Sequence, residues 1–383
     1  MNRRIRHLGL TMVFGCLFLS SSIIHARETN IGDQYPSVAR SVRALGMGNA
    51  FLTMRGRRTT DMFYNPATLH DLKPSWRFSA FGNDVGFSQK LIPMVKDLFD
   101  LSDDLKNSAT DDGDINVFKT FFNKHVGEFQ SVDYALTLFS MGRKDWGVAL
   151  LTDSRTTVSM RNRAFPNFEL HTNSDGIVAI GRSIGLFYDD LVLGALVKGI
   201  YRFQLDKIVT IGDILGGELG SIIGFDQWKR AFGIGGDIGA RYAIPILWSV
   251  NPVIAVTYQD VAHTRFFAGD SGIDKTRNSL NAAIGIHPRL GDYELSVEAG
   301  ASQLTDKRDI WTRLHAGAEL RFPTFAATTL SVRGGTNQGY PTGGFSLEWP
   351  VATLDFAFYG EEKGVVKRVG ANYKYAAAFN FYF

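Results

Sequence analysis

Residues that could do chemistry are few and widely separated in this sequence. Its eight histidines are scattered along the chain, and none has the spacing of metal ligands. The run Gly233-Ile234-Gly235-Gly236 lacks the third glycine of a dinucleotide-binding loop and falls within an alternating stretch. No Gly-x-Ser-x-Gly nucleophile motif occurs. We therefore expect a protein that is not an enzyme, with no metal and no cofactor, and keep a hydrolase built from residues distant in sequence as an alternative.

Charged side chains occur instead at every second position of otherwise apolar stretches. Between Tyr293 and Ser302 apolar and polar residues alternate, and the same holds between Arg313 and Phe322. Successive side chains of a strand point to opposite faces, so this period of two predicts strands with one apolar and one polar face. We expect the polar face to carry a network of paired charges, with a selectivity lining as the alternative; its members are Asp133, Lys198, Arg202, Asp237, Arg241, Glu298, Arg313, Glu319, Arg321 and Asp355.

Alternating strands of this kind suit a transmembrane barrel. Unpaired backbone groups are costly in lipid, so the strands must close on themselves, with lipid outside and a polar lumen inside. A soluble sandwich or a secreted solenoid also alternates. The end of the chain favours the barrel, because Phe379, Phe381 and Phe383 share one face and resemble the terminal strand that the outer-membrane assembly machinery recognises.

The beginning of the chain predicts export. Arg3, Arg4 and Arg6 precede an apolar run from Leu8 to Ile24, and Ala26 is the expected cleavage point, with a lipobox ending at Cys16 as the alternative. Cys16 is the only cysteine, which excludes disulfides and thiol chemistry in the mature chain. Of 41 basic residues three lie in the signal, and 38 minus 38 acidic residues leaves a net charge of zero. A neutral chain argues against nucleic acid as a partner.

The sequence predicts an all-β chain of three parts. These are a signal peptide (1–26), an amino-terminal segment (27–73) and an antiparallel barrel (74–383) of about fourteen strands. We expect strands near 75–88, 131–141, 145–158, 174–184, 190–205, 229–243, 249–262, 276–288, 291–303, 310–322, 327–336, 341–349, 351–360 and 370–383. Long and short connections then alternate, as in bacterial barrels, whose outer loops are long and whose periplasmic turns are short.

The two longest connections carry apolar residues at helical spacing. In the first, between residues 91 and 130, Phe118, Phe121 and Phe122 fall on one stripe. In the second, between residues 205 and 229, Ile208, Ile211 and Leu215 continue the pattern. We expect short helices in these extracellular loops. Their stripes either cap the barrel by packing on each other or form a groove that collects hydrophobic substrates.

Two motifs precede the first strand. Residues 43–51 read Arg-Ala-Leu-Gly-Met-Gly-Asn-Ala-Phe, and residues 63–67 read Phe-Tyr-Asn-Pro-Ala. Gly46 and Gly48 permit close packing and positive φ, whereas Pro66 fixes one backbone angle and restricts Asn65 before it. Asn65 can also bond to backbone groups within the lumen. These motifs in this order resemble the hatch of the FadL family of long-chain fatty acid and hydrocarbon transporters, and are similar to PorV-like barrels.

This resemblance implies a function and a place. It implies passive uptake of long-chain fatty acids or other hydrophobic compounds across the outer membrane, by a barrel that lies among outer-membrane lipids. Residues Gly46, Gly48, Asn65, Pro66 and Ala67 would belong to a hatch that plugs the lumen. A scaffold for secreted proteins and an outer-membrane hydrolase are the alternatives. The chain departs from the family in Arg55, Arg57 and Arg58, where relatives often carry acidic residues, and in Thr68, where glycine is usual.

Overall fold

The structure, a computed structural model, describes most of the chain. It covers residues 35–107, 111–161, 167–210, 213, 224–245, 249–261, 263–273, 275–306, 309–324, 327–363 and 370–383. The expected signal peptide, its cleavage site at Ala26 and the first residues of the expected hatch lie outside the described residues, as do Ile211 and Leu215.

The strands form one closed antiparallel barrel, which confirms the predicted fold class. Each strand pairs with the next, and the last pairs with the first. The fourteen strands are β1 Arg77–Ser88, β2 Phe129–Arg143, β3 Trp146–Arg161, β4 Asn167–Leu186, β5 Leu191–Thr210, β6 Lys229–Ala243, β7 Pro252–Gln259 continued by Arg265–Gly269, β8 Ser279–Ile286 continued by Arg289–Leu290, β9 Tyr293–Ala301, β10 Leu314–Pro323, β11 Thr329–Asn337, β12 Tyr340–Glu348, β13 Ala352–Glu362 and β14 Ala371–Tyr382.

The barrel closes where β14 meets β1. The register runs from Ser79 opposite Tyr382 to Ser88 opposite Lys374, with a bulge between Ala80 and Asn83. Beyond the ladder, Phe383 and Phe78 exchange both backbone hydrogen bonds, at 2.9 and 3.2 Å. No sheet edge is left at this junction, as a lipid environment requires.

The two faces of the sheet differ as the alternation predicts. On β4, Val178, Ile180 and Ile184 are each more than half exposed, whereas the neighbouring Ile177 and Ala179 are buried. The exposed residues form the outer, apolar face, and the buried ones line the inside. This pattern provides an apolar exterior that can contact acyl chains.

Several predicted strand ends are wrong in the outer half of the barrel. Strand β4 begins at Asn167 rather than near residue 174, and β5 runs to Thr210 rather than 205, so Ile208 belongs to a strand and not to a helix. The added strand residues include His171, Thr172 and other polar residues. There the strands pair with each other beyond the apolar belt, and the alternation that marks lipid-facing strands is lost.

Helices are short and lie outside the strands. They are α1 Val42–Gly46, α2 Leu91–Asn107 and α3 Asp111–His125, with 3-10 turns at Thr59–Phe63, Pro66–Asp71, Phe225–Gln227 and Ile310–Thr312. The two helices expected in the first long loop are α2 and α3. Arg313, expected on a strand, instead follows the last 3-10 turn and precedes β10. Among the described residues no helix has the length and apolarity to cross a membrane.

Candidate functional site: the lumenal segment

Residues 35–73, here called the lumenal segment, pack against the inner face of the barrel on several sides. Apolar residues of the segment contact three groups of strands. Val38, Met62, Phe63 and Leu69 pack on β3, β4 and β5; Ala44, Met47 and Phe51 share a cluster with β7 and β8; Val42 and Leu45 pack on β13 and β14. The segment therefore crosses the lumen from wall to wall.

The first motif brings backbone into contact with backbone. Gly48 has a φ of +71°, and a Cβ built on it would lie 2.4 Å from the Ala316 carbonyl oxygen and 2.6 Å from that of Thr336. Gly46 faces Gly344 of β12, whose Cα lies 3.3 Å from the position of a Cβ on Gly46. Only glycine fits the conformation and the space at position 48.

The Asn-Pro-Ala motif begins a 3-10 turn and packs against glycines of the barrel wall. The Asn65 side chain accepts a hydrogen bond from the Ala67 amide at 3.0 Å and donates one to the Leu52 carbonyl at 3.0 Å. Pro66 occupies the first helical position, where its missing N–H costs nothing. On the wall, a Cβ on Gly194 or on Gly239 would lie only 2.3 Å from atoms of this motif. The absence of side chains at these two glycines therefore makes room for the motif.

Arginines of the lumenal segment bind carboxylates of the wall. Arg43 donates two hydrogen bonds to Glu319 on β10, and Arg58 binds Asp355 on β13 at 2.5 Å. Arg40 binds Asp133 on β2 at 2.8 Å and Glu361 on β13 at 2.9 Å. Arg57 reaches Glu294 at 2.7 Å and Glu348 at 3.4 Å. Planar guanidinium groups suit such bidentate and bridging contacts.

The wall carboxylates that bind Arg40, Arg43 and Arg58 also contact a positively charged side chain of the wall. Glu319 accepts from Arg333 at 2.6 Å, and Asp355 lies 3.5 Å from the same guanidinium. Asp133 and Glu361 both bind Lys374, at 2.6 and 2.7 Å. The wall carboxylates therefore keep a positive partner even without the lumenal segment.

Backbone groups of the segment are also held by the wall. Glu298 on β9 accepts from the amides of Leu52 and Thr53, both at 2.8 Å, and from the Thr53 hydroxyl at 2.6 Å. Gln259 on β7 donates to the Phe63 carbonyl at 2.7 Å. These contacts fix the path of the chain between its two motifs.

The end of the segment that leads into β1 is anchored by an ion pair and by hydrogen bonds of a histidine. Arg241 on β6 binds Asp71 at 2.5 and 2.6 Å. His70 bonds to Asp145 at 2.6 Å and lies 3.2 Å from Asp189, both of which belong to turns between strands. The hydrogen bond from His70 holds the pKa of Asp189 below its ordinary value, aided by the charges of His70 and Lys144.

The wall is interrupted near a buried charged cluster. The ladder of β7 breaks after Gln259 and resumes at Arg265, and the Val261 amide bonds across the break to the Gly236 carbonyl. Lys198 on β5 lies 2.9 Å from both Asp237 and Asp260. The hydroxyl of Ser37, near the start of the lumenal segment, donates to Asp260 at 2.8 Å.

Most inward charges that the alternation predicts are therefore paired. Besides the pairs above, Arg202 binds Asp175 through two hydrogen bonds, and Arg321 binds Glu348 at 2.7 Å. The sequence did not assign partners to Arg40, Arg43 or Arg58. The segment is rich in arginine, and the inward faces of the predicted strands are rich in carboxylates. This match could have predicted that the segment binds the wall through ion pairs.

The three outer phenylalanines are buried within the loop rather than exposed in a groove. Phe118, Phe121 and Phe122 pack with Met160 on β3, and the Phe122 ring lies 4.5 Å from that of Phe168 on β4. Phe168 also contacts a second cluster formed by Leu205, Val209 and Trp228. The partners expected at positions 211 and 215 lie outside the described residues.

The terminal aromatic residues lie at the closing junction. Phe381 and Phe383 are exposed on the outer face, and the Phe379 and Phe381 rings lie 4.6 Å apart. Their side chains therefore flank the β14–β1 seam at the edge of the barrel opposite the long loops. Recognition by the assembly machinery stays a prediction.

A histidine and a serine side chain meet inside the barrel. Ser302 lies 2.7 Å from Nε2 of His315, whose Nδ1 faces the Gly48 carbonyl at 3.2 Å. In a hydrolytic triad an acid would take the place of that carbonyl. Among the described residues, no group of three or more metal-binding side chains occurs.

Comparison with known proteins gives a match in structure only. No family model matches the chain, and no curated protein matches it. The crystal structure of the P. putida toluene transporter TodX matches 91% of this chain and 98% of its own, with a TM-score of 0.51 and 13% identity. A TodX deltaS2S3 mutant, described as a monoaromatic hydrocarbon channel, matches 90% of this chain and 99% of its own, with a TM-score of 0.51 and 12% identity. The chain therefore shares its barrel fold with the hydrocarbon channel TodX.

Proposed function

We propose that this protein is an outer-membrane channel for passive uptake of hydrophobic compounds, such as long-chain fatty acids or aromatic hydrocarbons. The observation that carries the proposal is the lumenal segment, which crosses the barrel and is held to the wall largely by ion pairs and hydrogen bonds. The fold shared with TodX and the apolar outer face support the same conclusion. The sequence has no motif that would couple transport to energy.

The arrangement of charges favours a segment that can shift. Removing one partner from a buried ion pair usually costs about 3–5 kcal/mol, because the remaining charge has no compensation. Here Glu319 keeps Arg333, and Asp133 keeps Lys374. The arginines of the segment would regain water in an opened lumen, so the cost of opening falls mainly on the lost apolar contacts.

The proposed path starts at the outer loops. Aromatic clusters around Phe122 and Trp228 lie above the lumen and meet at Phe168. We infer that a hydrophobic compound enters by separating these packed side chains, since the described part of the loops offers apolar contacts there. The lumenal segment then shifts to admit the compound.

Uptake by whole cells tests the proposal. A strain that lacks this gene, and lacks its own carrier for the compound tested, is given the wild-type gene or an empty vector. Entry of labelled oleate and of toluene is then measured at matched amounts of folded barrel. We expect faster entry of at least one compound with the wild-type gene. Equal entry of both compounds with and without the protein, in cells and in proteoliposomes, would overturn the proposal.

A further inference from the structure

Four residues form a row on the outside of the barrel at its periplasmic edge. Arg143 is the last residue of β2 and pairs with Trp146, the first residue of β3. Trp146 pairs in turn with Arg182 on β4. Trp76 directly precedes Arg77, which pairs with Gly142, so Trp76 extends the row at the side of Arg143. Tryptophan and arginine thus alternate across four neighbouring strands.

All four side chains point outward. Each is exposed, whereas their chain neighbours Gly142, Gly147 and Gly181 face Thr59 or Leu69 of the lumenal segment. Directly paired residues of adjacent strands lie about 5 Å apart. The two arginines of the row are therefore about 10 Å apart at the backbone, with Trp146 between them.

Each guanidinium of the row lies over a tryptophan ring. The Arg143 Cζ is 4.8 Å from the centroid of Trp76, and the Arg182 Cζ is 4.7 Å from that of Trp146. Stacking of this kind holds the guanidinium plane in place and leaves its N–H edges free to donate. Within the described part of the chain, neither guanidinium has a hydrogen bond or an ion pair.

The surroundings of Arg182 make an unpaired charge costly. Its outward-facing neighbours on β4 are Ile180 and Ile184, each more than half exposed. An arginine on the lipid face is strongly destabilising at the middle of a bilayer and much less so at the interface. A position at the strand ends, where headgroups lie, removes most of this cost, and an anion there removes the rest.

We propose that Arg143 and Arg182, stacked on Trp76 and Trp146, form a binding site for the phosphate of an anionic phospholipid in the periplasmic leaflet. Guanidinium groups bind phosphate oxygens through paired hydrogen bonds, and tryptophan suits the headgroup level of a membrane. The inference rests on the bilayer location proposed above but not on transport. A barrel that carries no substrate can still retain the lipid.

Native mass spectrometry of the full-length barrel tests this site. The purified, detergent-solubilised protein is titrated with phosphatidylglycerol or with phosphatidylcholine of the same acyl chains. The test variant is R143Q/R182Q. The control variant, K90Q/K124Q, removes the same charge from the opposite, loop end, where Lys90 and Lys124 form exposed ion pairs. Migration of unheated samples on gels shows which variants are folded.

We expect the wild type and the control to retain phosphatidylglycerol in preference to phosphatidylcholine. In R143Q/R182Q the affinity for phosphatidylglycerol should fall roughly tenfold or more, since each basic residue near a membrane surface contributes on the order of fivefold. If the double variant does not fold, R143Q and R182Q are measured singly. Equal retention of the two lipids by the wild type, or unchanged retention of phosphatidylglycerol by the folded variants, would overturn the site.

Discussion

Arg43 of the lumenal segment donates two hydrogen bonds to Glu319 of β10, from Nε to Oε2 at 2.9 Å and from Nη2 to Oε1 at 2.7 Å. Both side chains are almost fully buried. Arg333 of β11 donates to the same carboxylate at 2.6 Å, so Glu319 is shared between a cation of the segment and a cation of the wall. Under the proposed function, this sharing would leave Glu319 with a positive partner on the wall when the segment shifts.

Removing Arg43 should therefore cost less stability than removing an arginine whose carboxylate partner has no second described cation. We expect R43Q to lower the free energy of unfolding by about 2 kcal/mol, because Glu319 keeps Arg333. R202Q is the matched comparison, since it takes from Asp175 its described partner and should cost about 3–5 kcal/mol. Chemical unfolding followed by tryptophan fluorescence measures both. Equal losses in the two variants would show that the shared cation does not compensate.

Gly48→Ala tests the contact between the lumenal segment and the wall. Position 48 combines a φ of +71° with carbonyl oxygens 2.4 and 2.6 Å from an added Cβ. We expect a loss of about 3 kcal/mol or more, from backbone strain together with overlap. Gly291→Ala separates these effects, because Gly291 has a φ of +66° and open space around it. That control should lose only about 1 kcal/mol; a similar loss at both positions would refute the close approach.

Phe122→Ala tests the packing of the outer loop. The ring is buried and lies 4.5 Å from Phe168. Deleting a buried phenylalanine side chain costs about 3–5 kcal/mol, and here the loss should appear as faster amide exchange in α3 while the strands stay protected. Phe99→Ala, on the exposed face of α2, is the control and should leave α3 unchanged. Unaltered exchange in the Phe122 variant would mean that the cluster does not hold the loop.

The outer helices should loosen in acid. Asp97 on α2 binds Lys124 at 2.7 Å and His125 at 2.8 Å on α3, and the hydrogen bond from Lys124 lowers the pKa of Asp97. A carboxyl whose pKa is lowered by folding stabilises the folded form above its unfolded pKa, about 3.9, and loses this effect as the pH falls further. Amide exchange of α2 and α3 should therefore rise below about pH 4. Asp97→Asn should abolish that pH step; a step of the same size in this variant would assign it to another group.

The barrel could be predicted from sequence because lipid imposes a strict rule on each strand. Alternation between Val178, Ile180 and the buried residues beside them fixes both faces, and the alternation of long and short connections supports an even strand count. This alternation no longer applies where a strand extends beyond the apolar outer face. At His171 and Thr172 both alternating positions are polar, so no apolar alternation marked the true start of β4.

The lumenal segment was predicted as motifs but not as contacts. Gly48 and Asn65 carry local signals, since a positive φ and a helix start depend on neighbouring residues. The partner of Arg43 lies 276 residues away, and no local pattern selects Glu319 over other inward carboxylates. The row of Arg143, Trp146 and Arg182 could not be predicted either, because it depends on the register between three strands.

A reversible tether between Thr59 and Gly142 tests most directly whether the lumenal segment must move. A Cβ built on Gly142 lies 3.3 Å from Cβ of Thr59, slightly shorter than the separation in a disulfide, and the described part of the chain has no cysteine. Uptake of labelled oleate and of toluene is measured for T59C/G142C before and after reduction, with each single variant as control. We expect uptake to stop in the oxidised protein and to return on reduction, and uptake at the same rate in both states would contradict the account.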